Sequence, residues 1–290
     1  MKKKSEFSSK KVSELKVKNK KKSEKVVQSK KNNDFFGNQE IKQDLQSFYN
    51  SEAKKYAETR RKFWHEEKAI LDAITPLFER KEKVRVLEFG CGSGRFATLL
   101  NQQFPWQFDY VWIDLSDELL SYASKDNPNL TFFQWDITKL VRNFEQESFD
   151  LIVWTSSFQH IPAAKERSFL MKNFYRLLDY DGMLLMTNRS LSDWFVKKNW
   201  KIVMKARLKS WLRLSNNSRD LMVPRTDENW IVYERFYHFF SLKELESLTI
   251  FSGLTLKMNT FIDGNGNFTD NEKISHSSFL IAKKTPIINR

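Results

Sequence analysis

One cysteine, Cys91, stands in 290 residues, so neither an internal disulfide framework nor a multi-cysteine zinc ribbon can form. No apolar run approaches the length of about eighteen residues that a membrane span needs. The opening MKKK is not followed by the apolar core of a secretory signal. These absences predict a soluble chain of a reducing, cytoplasmic compartment, without stable membrane insertion and without a metal site. No internal repeat is visible. The length and the 40% apolar content suit one large α/β domain with additions rather than two independent cores.

The net charge of +13 is concentrated at one end, because residues 1–33 hold thirteen lysines against three glutamates. This stretch is too poor in apolar residues to offset its ordering entropy, and it is expected to be a disordered tail. Such a tail either draws the protein to RNA or another acidic surface or simply solubilises it.

Residues 34–80 carry a helical pattern and are expected to pack on the core. Ile41, Leu45 and Phe48 fall at spacings of three and four, and a second helix is expected near Phe63 to Phe78. From residue 81 to 290 short apolar runs alternate with amphipathic stretches, the texture of βαβ units. Candidate strands are Val84 to Phe89, Phe108 to Ile113, Leu130 to Gln134, Asp150 to Thr155 and, after a turn at Asp181-Gly182, Met183 to Thr187. Two more, near Leu254 to Ile262 and Ser277 to Lys284, are expected to form an edge hairpin. The prediction is a Rossmann-like, seven-stranded, mostly parallel sheet with helices on both faces. Ser116 is placed to cap the helix after the second strand, and Ser241 with Glu244 forms a capping box on a helix that Gly253 stops.

Gly90, Gly92 and Gly94 lie where the first strand turns into a helix, so a ligand can approach the backbone and its free N–H groups. A dinucleotide fingerprint would need glycine where Arg95 stands, and no phosphate loop of the Walker kind occurs. Asp114 ends the second strand, where a carboxylate can meet ribose hydroxyls. Asp136 ends the third, beside a potential adenine, with Trp135 as an apolar wall. Glu88 adds a further negative charge. Acids at successive strand ends suit a cationic adenosine ligand, although each alone could be a helix cap.

The segments VLEFGCGSG, WIDLS, QWDIT and FDLIVWTSSFQHI, within residues 84–187, resemble the successive motifs of class I S-adenosylmethionine-dependent methyltransferases. The resemblance implies a pocket for S-adenosylmethionine at Glu88, Gly90, Cys91, Gly92, Gly94, Asp114, Leu115, Trp135, Asp136, Ile137 and Thr155. It also puts His160 under the methionine end, where a structural histidine capping the next helix is the competing reading.

Outside the core, FYNSEAKKYAETRRKFW (48–64), DLMVP (220–224) and RFYHFF (235–240) resemble the flanks of tRNA wobble-uridine carboxymethyl methyltransferases. The resemblance departs at Arg225, where that family commonly has tryptophan, and around Trp64. It implies a tRNA partner, methyl-ester formation on an anticodon uridine derivative and a small activator subunit such as its eukaryotic members use. A carboxylate acceptor is already ionised at neutral pH and needs no base. Arg60, Arg225 and Arg235 are candidates to orient it, with Tyr237 and His238 as hydrogen-bonding neighbours. In the insert 188–240, Trp194 to Arg219 carries eight basic residues and no acid, and reads as an amphipathic basic helix over the substrate side. Lys197, Lys201, Lys205 and Lys209 recur every four residues and could follow phosphates, with Trp194 or Trp200 offered to a base. A solvated outer face or a membrane-surface helix has the same composition. A small-molecule acceptor, such as a quinone precursor or lipid, is the alternative.

Overall fold

The computed structural model describes residues 33–60, 64–212, 217–227 and 229–285, so the expected lysine-rich tail lies outside the described residues except for Asn33. Among the described residues three helices, α1 (Asn33–Ser51), α2 (Ala53–Arg60) and α3 (Glu67–Arg80), precede the sheet. The body then runs β1 (Val84–Phe89), α4 (Arg95–Gln103), β2 (Phe108–Asp114), α5 (Asp117–Asp126), β3 (Phe132–Gln134), α6 (Ile137–Leu140), β4 (Phe149–Thr155), α7 (Ala164–Leu177) and β5 (Leu178–Arg189). The insert contains α8 (Asp193–Lys198), α9 (Trp200–Trp211), β6 (Asp220–Thr226) and β7 (Val232–His238). After it come α10 (Leu242–Ser252), β8 (Thr255–Asp263), β9 (Phe268–Thr269) and β10 (Ser275–Lys283).

The strand order is β3-β2-β1-β4-β5-β10-β8-β9. The five strands β1 to β5 are parallel, and β10 inserts antiparallel between β5 and β8. The sheet therefore has eight strands rather than the seven expected. The extra one, β9, is two residues that fold back on β8 beyond the Asp263-Gly-Asn-Gly turn, too short to carry any periodicity.

Side-chain alternation divides the core into two layers. Val84 and Val86 of β1 join Ile70, Ile74 and Leu77 of α3 and Phe96 and Leu100 of α4. Leu87 and Phe89 point the other way, to Leu170, Met171 and Phe174 of α7 and Leu245 of α10. Full burial of each such side chain stabilises the fold by roughly 1.5 to 3 kcal/mol. Trp112 and Trp154, on opposite layers, are both buried, so bulky rings thicken each side of the sheet.

Local signals explain most boundaries. Ser116 Oγ accepts from the Leu119 amide at 3.1 Å, with Asp117 and Glu118 in the first turn of α5. Ser241 Oγ accepts from the Glu244 amide at 3.2 Å, and Gly253 ends α10 in the left-handed conformation. The reciprocal half of that capping box is diverted, because the Glu244 carboxylate accepts from His238 Nε2 at 2.8 Å. Asp181 and Gly182 do not precede β5 but lie inside it as an irregularity, with Asp181 at φ 58°. The single basic helix expected in the insert is two helices, broken at Asn199, whose side chain returns to the Phe195 carbonyl.

The hairpin β6–β7 is held to the body by His238. Its buried imidazole contacts Asp220 Oδ1 at 2.5 Å and Glu244 Oε1 at 2.8 Å. These hydrogen bonds raise its pKa above the ordinary value although burial opposes them. His238→Ala leaves two carboxylates beside a cavity and is expected to cost about 3 kcal/mol in denaturant unfolding. An unchanged midpoint would show that the hairpin is anchored elsewhere.

Candidate functional site

A cavity opens at the carboxyl ends of β1, β2, β3 and β4. Gly90 and Gly92 form its floor at φ 65° and 54°. A Cβ on Gly90 would lie 2.1 Å from Ser157 Oγ, so the turn after β1 can lie against the loop after β4 only as glycine. At Gly92 the nearest atom to such a Cβ is in Tyr56, 3.6 Å away, which leaves the backbone open to a ligand. Asp114 braces the turn, its two oxygens accepting from the amides of Gly92 at 2.7 Å and Ser116 at 2.9 Å. Burial raises its pKa, against the pull of these backbone bonds.

Leu115, Trp135, Asp136, Ile137, Thr155 and His160 line the same cavity. Asp136 also caps α6, accepting from the Thr138 amide at 3.0 Å, and its other oxygen lies 3.4 Å from Lys42 Nζ. The structure places the three remaining predicted residues outside the lining. Gly94 begins α4 where a Cβ would meet Ala123 at 3.0 Å, so it serves helix packing. Cys91 is buried, with its amide donating to the Ile113 carbonyl at 3.2 Å. Glu88 shares the face of Val84 and Val86 and is buried beneath the turn. Its Oε2 has no partner, and burial, with the Asp114 charge second, holds its pKa well above the usual carboxylate range.

The wall facing the strands comes from the N-terminal helices, through Lys42, Leu45, Gln46, Tyr49 and Tyr56. Lys42 fastens it, donating to Thr138 Oγ1 at 2.9 Å and Glu166 Oε1 at 3.3 Å. Tyr49 O–H donates to His160 Nε2 at 3.3 Å, while Nδ1–H of the same imidazole donates to the Phe236 carbonyl at 2.7 Å. Burial lowers the His160 pKa to about 4 and raises that of Tyr49, so both are neutral at physiological pH.

Tyr49, Tyr56 and Ser156 also border a second, larger chamber of about 410 Å³. Ser156 holds a left-handed φ of 54° at the junction, and its amide donates to the Thr187 carbonyl at 2.8 Å. Arg60, Arg225, Arg235, Tyr237 and Trp194 line this chamber. His238 does not reach it, being engaged behind the hairpin. Trp200, Lys197, Lys201, Lys205 and Lys209 are exposed on the insert helices outside it. Arg95, Arg189 and His276, none of them an expected site residue, converge on the chamber from three separate segments.

The cavity fits S-adenosylmethionine. A side chain is sterically excluded at Gly90, Asp114 stands at the end of β2, and an orphaned carboxyl oxygen of Glu88 lies beneath the turn. Gly90→Ala is expected to weaken cofactor binding at least ~100-fold in calorimetry, from steric overlap and left-handed strain together. Near-normal affinity would place the ligand elsewhere. The lowered His160 pKa also sets a pH dependence. Between pH 6.5 and about 4 the native protein binds fewer protons than the unfolded chain, so stability rises with pH across this window and falls on acidification. Below the window the loss reaches roughly 3 kcal/mol. His160→Gln should flatten this part of the unfolding profile, and an unchanged profile would refute the assignment.

Residues 86–182 match the family model described as a methyltransferase domain. A malonyl-[acyl-carrier protein] O-methyltransferase of Bacillus cereus is 26% identical over 135 residues, covering 46% of this chain and 46% of that protein. The chain thus spans about half the length of that relative. A similarly named protein of Ilyobacter polytropus is 26% identical over 191 residues, covering 62% of this chain and 68% of its own length. Among solved structures, a SAM-dependent methyltransferase of Methanosarcina mazei aligns with a TM-score of 0.56 at 20% identity, covering 72% of this chain and 97% of that one. DhpI in complex with SAH aligns at 0.54 and 15% identity, covering 85% and 98%. The backbone likeness shows the fold, and the family match places a methyltransferase domain over residues 86–182, with the cavity at the carboxyl ends of its strands.

Proposed function

We propose that the chain methylates a carboxylate oxygen, forming a methyl ester on an acceptor held in the second chamber. Arg235 carries this reading. Its guanidinium lies over the rings of Phe48 at 4.5 Å and Tyr237 at 5.2 Å, and its buried Nε has no partner. It acts electrostatically on Tyr49, which borders both cavities, and on His160, which lines the first. A planar cation with its faces covered and an edge N–H unused matches a carboxylate.

S-adenosylmethionine, when bound, supplies an electrophilic methyl group on sulfur. The residues of this chain would bind, orient and shield. A carboxylate needs no deprotonation. That agrees with His160, which is held neutral and has both ring nitrogens engaged. Phe48, Tyr49, Tyr56 and Tyr237 would exclude water around the acceptor while Arg235 fixes its angle of approach, and orientation of this kind can supply roughly 7 to 11 kcal/mol. The names of the relatives support an oxygen acceptor on a malonyl group, which ends in a carboxylate. The carboxymethyl-uridine reading shares the same chemistry, and the exposed Lys201, Lys205 and Lys209 on α9 support an RNA partner for it.

Incubation with methyl-labelled cofactor and separate RNA and malonyl-thioester pools tests the proposal. The label should enter one pool as an ester that mild base releases as methanol. A base-stable methyl group would refute carboxylate transfer, and the labelled pool identifies the acceptor. Arg235→Gln should lower kcat/KM by about 100-fold with cofactor affinity retained.

A further inference from the structure

The second chamber carries more positive charge than one carboxylate neutralises. Apart from Arg235, two half-buried guanidiniums line it. Arg95 lies over the Trp64 ring at 4.5 Å and Arg189 over the Trp194 ring at 5.6 Å. Aromatic surface covers their faces, which leaves N–H edges for a ligand. Arg189 Nη1 donates to His276 Nε2 at 3.2 Å, and burial together with the Arg189 charge holds that imidazole neutral, with a pKa of about 4. Arg60, over the Tyr56 ring at 4.8 Å, lines the same end of the chamber.

These cations repel one another. Burial lowers the pKa of both Arg95 and Arg189, and Arg60 lowers each further. Among the described residues neither Arg95 nor Arg189 forms an ion pair. Glu66 is the acid that acts on all three arginines, and it is buried, accepting from Ser277 Oγ at 2.6 Å. Glu52, the other acid of the lining, pairs with Lys55 at 3.7 Å, so the three arginines facing Glu66 keep a local charge of +2 in a partly desolvated space. Like charges gathered this way are relieved by an anion with two negative charges and several acceptor oxygens.

We infer that Arg95, Arg189 and Arg60 form a subsite for a dianionic phosphoryl group of the acceptor, separate from the carboxylate anchor at Arg235. The inference rests on the reading of the chamber as the acceptor site. A carboxylate or a phosphate diester brings one negative charge, whereas a terminal phosphate brings nearly two and three oxygens for the guanidinium edges. The acceptor class is thus a molecule carrying both a carboxylate and a phosphoryl group. A small phosphorylated acid and the phosphorylated end of a larger chain present the same chemistry here.

The test is calorimetric titration of the intact protein, saturated with S-adenosylhomocysteine, with inorganic phosphate, acetate and dimethyl phosphate at constant ionic strength near pH ~8. Inorganic phosphate should bind at least about tenfold more tightly than acetate or the diester. Arg95→Met and Arg189→Met should each weaken phosphate binding about tenfold, while Arg235→Gln leaves it unchanged. Both methionine variants should melt no lower than the wild type without phosphate, because each removes like-charge repulsion. Phosphate that binds no better than acetate, or that is lost equally in Arg235→Gln, overturns the subsite. A base-stable methyl product alongside tight phosphate binding would instead overturn the carboxylate and leave the subsite standing.

Discussion

β1 lies between β2 and β4, and the chain leaves its carboxyl end with a neighbour on either side. Connections that depart to opposite faces open a crevice at such a switch point. Here the crevice stays open because Gly90 allows the first loop to lie directly against Ser157 of the fourth. Asp114 then ties the glycine turn to the start of α5 with two backbone hydrogen bonds. The cofactor cavity, the left-handed Ser156 and the second chamber beyond it all follow from this close approach of two loop ends.

A second set of contacts completes the site from the opposite side. His238 holds the β6–β7 hairpin to α10, and Phe48 of α1 meets Tyr233 of β7 with ring centroids 5.7 Å apart. Through that contact the N-terminal helices are seated over the strand ends, where Lys42 and Tyr49 close the cavity wall. The insert therefore supports the first cavity as well as lining the second chamber.

The cofactor half of the molecule was legible in the sequence because its parts are local. Each of β1, β2 and β4 is an apolar run that ends in glycine, acid or a polar turn, and Gly90, Gly92 and Asp114 occupy those ends. The two-residue β9 carries no period, and the irregularity at Asp181 has the same residues as an ordinary turn. Glu244 looked like half of a capping box, yet a buried imidazole competes for its carboxylate more strongly than the helix amide does. The second chamber was only partly legible. Arg60, Arg225, Arg235 and Tyr237 stood in recognisable flanking segments, but Arg95 was conspicuous only as a missing glycine. Its place in the chamber depends on Trp64, thirty-one positions earlier, and that of Arg189 depends on His276, eighty-seven positions later. Tyr49 and Tyr56, seven residues apart with ring centroids at 5.5 Å, were a signal within reach of helical spacing.

Those two tyrosines belong to both rooms of the site. A displacement of α1 and α2 that uncovers the first cavity therefore also unseals the second chamber, so neither room opens without the other. Whatever enters or leaves either room passes the same partition.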